Sequence, residues 1–179
     1  MKSRLFCLYF SLFCFVSNAQ LICPNFNMTD YNGQQWHLYD VLDEGRIVYV
    51  FLFSPINEAA WAYHSGEGLS DFYSQFGPIG DNTAMVFAMT GADINYLHGY
   101  EEGSMGNWVA NIPYPTFYDG TTFDISFTDL FNLSQAQSSF SVFRICPDRS
   151  ITRYATAPTA EQMAADMSLL HGRNASARC

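Results

Sequence analysis

The sequence predicts an α/β sandwich: a mixed central sheet flanked by helices, preceded by an extra N-terminal β-hairpin. Three observations carry that expectation. "RIVYVFLF" (46–53) and "AMVFAMT" (84–90) are apolar without alternation, the pattern of strands buried on both faces. Between them Leu69, Phe72, Tyr73 and Phe76 recur at helical spacing, with polar residues filling the gaps. The last third then reads strand, turn, strand, helix, so strand–helix alternation closes on a hairpin, as in a layered mixed sheet.

The elements follow in order. Phe26 and Met28 alternate with polar neighbours, as do Trp36 and Leu38, and Asn32-Gly33 between them predicts a hairpin with a tight type I′ turn. "YDVLDEG" is a short helical turn or loop leading into the first buried strand. After Pro55 the period becomes helical; Gly66 and Gly68 weaken or kink that helix and Gly77-Pro78 ends it. Gly91 to Met105 reads as a long polar loop, "TFY" (116–118) as a short strand and "SFTDLFNL" (126–133) as a short helix. "FSVFRI" (140–145) and "ITRYA" (151–155) are strands joined by a turn at Pro147-Asp148-Arg149-Ser150. Thr159 as N-cap with Gln162 three residues on predicts a last helix carrying a Met163, Met167, Leu170 stripe. No repeat, low-complexity segment or linker interrupts the chain, so one domain is expected over 20–179.

The first nineteen residues have the form of a cleavable leader. Lys2 and Arg4 precede the apolar "LFCLYFSLFCFV", and Ser17-Asn18-Ala19 predicts cleavage before Gln20. The expected location is therefore secreted or periplasmic, with no membrane association after processing. Loss of Lys2, the sole lysine, and Arg4 leaves six basic residues against 17 acidic ones, a formal charge of −11. That charge repels nucleic acid and anionic lipid, leaving an unidentified protein or peptide as the expected partner.

Processing also removes Cys7 and Cys14, leaving Cys23, Cys146 and Cys179, which in an oxidising compartment implies one disulfide and one leftover thiol. His37, His64, His98 and His171 show no metal-ligand spacing, "DGTTFDISFTDL" lacks calcium-loop spacing, and no cofactor is expected. The three glycosylation triplets, at Asn27, Asn132 and Asn174, are discounted as chance matches. Trp36, Trp61 and Trp108, with 16 Phe and 11 Tyr, are read chiefly as core.

At the strand-to-helix junction, "SPINEAAWAYH" (54–64) carries the next signal. Together with "CPNFNMTDYNGQQWHLYDVLDEGRIVYVFLF", "GNWVANIPYP", "FSVFRICPDR" and the final Cys179, it resembles exported bacterial thioredoxin-like domains of the redoxin/TlpA type, over about residues 22–179. The resemblance implies a thioredoxin-like sandwich and also locates what is changed. Matching Trp61 and His64 puts Asn57 and Ala60 where that family has its two active cysteines, and counting back from Cys146 puts Phe140, after Ser139, at its cis-proline. Thioredoxin chemistry needs an activated thiolate at a helix N-terminus and a second thiol to resolve the mixed disulfide. Neither asparagine nor alanine supplies one. A non-proline cis bond costs about 2.5–4 kcal/mol, so Ser139–Phe140 is expected to be trans. The implied disulfide is Cys146–Cys179, with Cys23 the alternative partner of Cys146.

The leading expectation is accordingly a non-catalytic binding or structural module. The alternatives are residual redox activity through the remaining cysteines, or a remade acid/base site combining Asn57, Glu58 and His64. Against the last, Glu58 in a first helical turn is sufficiently explained by the helix dipole, and Asn57 by an N-cap.

Overall fold

The structure is a computed structural model that describes residues 21–118 and 140–171. The leader, Ser139, the 126–133 helix and Cys179 lie outside the described residues, as does the Leu170 side chain.

The chain forms β1 (Asn27–Thr29), β2 (Gln35–His37), α1 (Leu38–Asp43), β3 (Ile47–Leu52), α2 (Glu58–Ser65), α3 (Glu67–Phe76) and β4 (Ala84–Met89). It continues through α4 (Ile94–His98), β5 (Thr116–Phe117), β6 (Ser141–Ile145), β7 (Ile151–Arg153) and α5 (Ala160–His171). Five strands make one mixed sheet in the order β5-β4-β3-β6-β7. β3 runs parallel to β4 and antiparallel to β6, and β6 is antiparallel to β7.

Every residue of β3 and β4 is buried, as their unbroken apolar runs require. Alternate side chains serve opposite layers. Tyr49 meets Phe72 of α3 edge-on at 5.1 Å and donates its hydroxyl to the Met163 carbonyl of α5 at 3.2 Å. On the other face Phe87 meets Phe26 and Trp36 at 5.9 and 5.5 Å, which seats the N-terminal hairpin on the sheet.

That hairpin is not closed by the expected type I′ turn. Gly33 has φ +84° but Asn32 does not adopt a positive φ. The Gly33 N–H donates to the Asp30 carbonyl (2.9 Å) and the Asp30 N–H to the Gln34 carbonyl (2.8 Å), a three-residue loop ending in a glycine bulge. The cause is Asp30, a buried carboxylate that sequence reasoning passed over. It accepts from the N–H groups of Asn32 and Gln34 and from the Trp36 indole, at 2.8, 3.0 and 2.9 Å.

The helix after Pro55 is broken into α2 and α3 at Gly66, whose extended backbone interrupts the ladder, and Gly77 caps α3. The long polar loop expected over 91–105 contains α4 instead. Asp93 caps it by accepting from the N–H groups of Asn95 and Tyr96, and Gly99 ends it in the left-handed region. Thr159 and Gln162 form the expected reciprocal capping box, with bonds of 2.8 and 3.2 Å, and Met163 and Met167 are buried. Among the described residues, no helix is long and apolar enough to cross a membrane.

Candidate functional site

β3 delivers the chain to the junction as a buried strand, and the buried Phe53, Ser54 and Pro55 extend it. Asn57 donates its N–H back to the Ser54 carbonyl (3.0 Å), and this turn opens α2. Asn57 is the N-cap: its backbone is extended and its Oδ1 accepts from the Ala60 N–H at 2.7 Å. Glu58 lies exposed in the first turn, while Ala60 is buried. The end of α2 thus presents an amide, a carboxylate and two methyl groups.

The inner face of α2 is aromatic. The His64 ring is buried, with Trp108 at 4.9 Å, Trp61 at 5.8 Å and Phe53 at 6.3 Å. Its Nδ1 shares a 2.9 Å hydrogen bond with the Tyr114 hydroxyl. Burial pulls the imidazole pKa down to about 4, against a smaller opposing effect of a hydrogen bond with the Trp108 backbone. Gly106 completes the packing. A Cβ there would stand 2.8 Å from the Trp61 ring, at a φ of +156° that side chains rarely adopt. The expected alternative of an acid/base site combining Asn57, Glu58 and His64 is therefore corrected. Glu58 faces solvent, His64 faces the core, and no hydrogen bond joins them.

Asn57 and Phe140, the two positions matched across 83 residues of sequence, line one groove of about 460 Å³. Ala59 shares the α2 side; Ser141 and Val142 come from β6, Arg153 ends β7 and Tyr154 follows it. Phe140 stacks on Tyr63 (5.2 Å, 20°) and meets Phe51 edge-on at 5.7 Å. The Arg153 guanidinium donates to Ser141 Oγ at 2.8 Å. Behind the groove the Tyr154 hydroxyl donates to Asp166, which also pairs with Arg144 at 2.8 Å. Arg153, Ser141 and Tyr154 escaped the sequence reading. The hairpin register, Phe143 opposite Arg153, is the signal that brings the first two together.

The cysteines stand apart from this groove. Cys23 is a free thiol, fully buried, and burial pushes its pKa up to about 12. Cys146 is disulfide-bonded. Cys23 is therefore not the partner of Cys146, which corrects that alternative: its N–H is tied to the Arg149 carbonyl at 2.8 Å while its sulfur stays reduced. Cys179 lies outside the described residues. Among the described residues, no group of three or more His, Cys, Asp or Glu is placed to hold a metal ion.

No family model matches the sequence. No curated protein matches it either. Solved structures do match in shape. A candidate thiol:disulfide interchange protein, DsbE, from Chlorobium tepidum is 13% identical with a TM-score of 0.58, over 85% of this chain and 95% of that one. A candidate thiol-disulfide oxidoreductase from Bacteroides vulgatus is 13% identical with a TM-score of 0.57, over 86% and 99%. The exposed lipoprotein thioredoxin Etrx1 of Streptococcus pneumoniae is 15% identical with a TM-score of 0.51, over 82% and 100%. At such identities the likeness is one of fold, and the fold is thioredoxin-like, with the β1–β2 hairpin added at its N-terminal end.

Proposed function

We propose that this thioredoxin-like domain is exported and works without thiol-disulfide chemistry, as a module that holds an extended peptide or protein segment in the groove between α2 and the β6–β7 hairpin. The observation that carries the reading is that Asn57 and Phe140 line the same groove. They are the positions at which the sequence resemblance puts the first active cysteine and the substrate-clamping proline. Ala60, the position of the second cysteine, is buried one helical turn behind. With these residues the α2 terminus offers no nucleophile to a substrate disulfide and no thiol to resolve one. The groove itself persists, walled by aromatic and small side chains that suit an extended chain.

The free thiol elsewhere is poorly suited to replace that chemistry. Cys23 is buried and its pKa of about 12 keeps it protonated at neutral pH. We assign the Cys146 disulfide to Cys179, as a structural bond that secures the C-terminal end of the domain near the β6–β7 turn, worth about 2–4 kcal/mol. A second reading, residual thiol-disulfide exchange, takes its support from solved neighbours described as thiol-disulfide oxidoreductases. Insulin reduction with dithiothreitol, paired with a thiol count on the exported protein, separates the two. The expected result is no turnover, no thiol reactive in the native state and one after unfolding. Reductase activity abolished by replacing any of the three cysteines overturns the proposal.

A further inference from the structure

We infer that the outer edge of β7 accepts an extended peptide as an added antiparallel strand, with an acidic side chain of that peptide seated on Arg153. The inference rests on the binding-module reading and names the ligand class.

β7 is the last strand of the sheet. Its ladder to β6 is anchored by the bonds Cys146 N–H to Ser150 carbonyl and Tyr154 N–H to Val142 carbonyl, both 3.0 Å. By antiparallel alternation the even-numbered residues of β7 turn their backbone groups inward, and Ile151 and Arg153 turn theirs outward. The chain already fills the first part of this edge with itself. Leu21 accepts the Ile151 N–H at 3.1 Å, Cys23 donates to the Arg149 carbonyl at 2.8 Å, and Ile22 bridges Ser150 in antiparallel sense. This edge therefore already pairs with an extended segment. Past Leu21, the outward N–H and carbonyl of Arg153 have no backbone partner among the described residues. Here the edge meets the groove, because Arg153 ends β7 and also lines the groove.

Charge selects the occupant. Among the described residues Arg46 pairs with Glu44, Arg144 with Asp166 and Arg149 with Asp43. Arg153 has no carboxylate partner among the described residues, in a chain with 17 acidic residues against eight basic ones. Among the described residues it is also the one charged side chain of the groove lining, oriented by its bond to Ser141 Oγ. The Arg153 guanidinium, bonded to Ser141 Oγ through one nitrogen and lying 5.9 Å from the Phe143 ring, belongs to an exposed residue, and its planar fork matches a carboxylate in both charge and shape. Phe140 and Val142 offer an apolar wall for a neighbouring side chain of the same strand. Backbone pairing supplies the affinity, and the arginine the preference for acidic sequences.

The test is fluorescence anisotropy of the exported protein with a labelled octapeptide of alternating threonine and valine bearing one central glutamate, beside its glutamine and lysine counterparts. The glutamate peptide is expected to bind roughly tenfold more tightly than the glutamine peptide at low salt. Arg153→Gln removes that preference while leaving the glutamine peptide's affinity unchanged, and Arg153→Glu transfers it to the lysine peptide. Backbone methylation of alternate amides distinguishes strand addition from side-chain binding. Methylation in one phase abolishes binding and in the other phase spares it, because only alternate amides face one edge. Equal binding of the glutamate and glutamine peptides, or equal loss from both methylation phases, overturns the inference and leaves the binding-module reading standing. No binding of any peptide overturns both, as does self-association that Arg153→Glu abolishes, which makes the occupant a second copy. Insulin turnover alongside an intact glutamate preference overturns only the non-catalytic reading.

Discussion

The two faces of α2 differ in what they carry. Its solvent end, Asn57 to Ala59, is made of small or exposed groups whose main bond is the cap from Asn57 Oδ1 to the Ala60 N–H. Its core face, Trp61 and His64, sits in a cluster with Phe51, Phe53, Trp108 and Tyr114 in which ring centroids approach to 4.5–6.4 Å. The junction is recognisable in sequence through the second face and chemically distinctive through the first. Packing and chemistry are thus separable here: the cluster fixes where the helix starts whatever stands at its tip.

The largest break in this contrast comes from Trp108, fully buried and stacked on Phe53 at 4.5 Å. Trp108→Ala is expected to cost about 3–5 kcal/mol in urea unfolding, the usual loss for a large aromatic removed from a core. Trp108→Phe should cost far less, because the buried indole N–H has no acceptor among the described residues and gains nothing by staying. A Trp108→Ala variant no less stable than a variant of the helix tip removes the basis of the comparison.

Next in size is acid. His64 has its folded pKa pulled from 6.5 to about 4, so the unfolded chain binds the proton more readily. The stability this contributes is present in full above about pH 6.5, is lost progressively as pH falls from there to about 4, and changes no further below. Over that window the loss is about 3 kcal/mol. His64→Gln should flatten that part of the stability profile, while Glu58→Gln should leave it intact. An unchanged acid limb in the His64 variant shows that another group titrates there.

How far the sequence carries can be judged from the same residues. Both buried strands, the weakening of the helix around Gly66 and Gly68, the Asn57 cap and the Thr159–Gln162 box were legible, because each follows from local pattern and backbone chemistry. The pairing of Asn57 with Phe140 in one groove was legible only through resemblance, since nothing local ties residues so far apart. The hairpin turn was misread because Asn-Gly suits two loop lengths, and the choice fell to the Asp30 carboxylate and its bond to Trp36. α4 was missed because five residues give too short a period to see, although Asp93 and Gly99 bracket it as cap and stop. Arg153 gave no sign, since its significance lies in lacking a carboxylate partner among the described residues, which is a property of three dimensions.

At the helix tip the effects become small. Asn57→Ala removes the bond to the Ala60 N–H and should cost about 1 kcal/mol, with Asn57→Asp close to the native protein. Differential scanning calorimetry resolves that difference, and a cost above about 3 kcal/mol would place Asn57 in the packed half of the helix.

The smallest expected effect is that of Glu58. Its carboxylate stands exposed in the first turn of α2, where the unpaired N–H groups make the helix end partly positive. Water and salt screen that attraction, so Glu58→Gln should cost at most about 0.5 kcal/mol at low ionic strength and nothing measurable in 1 M salt. Chemical denaturation of the pair at both salt concentrations reads it directly. A larger loss that survives high salt would mean that Glu58 has a fixed partner rather than a diffuse one, and the tip of α2 would then be a built site. A small loss that salt erases leaves the tip as a capped end, whose use depends on what the groove beside it holds.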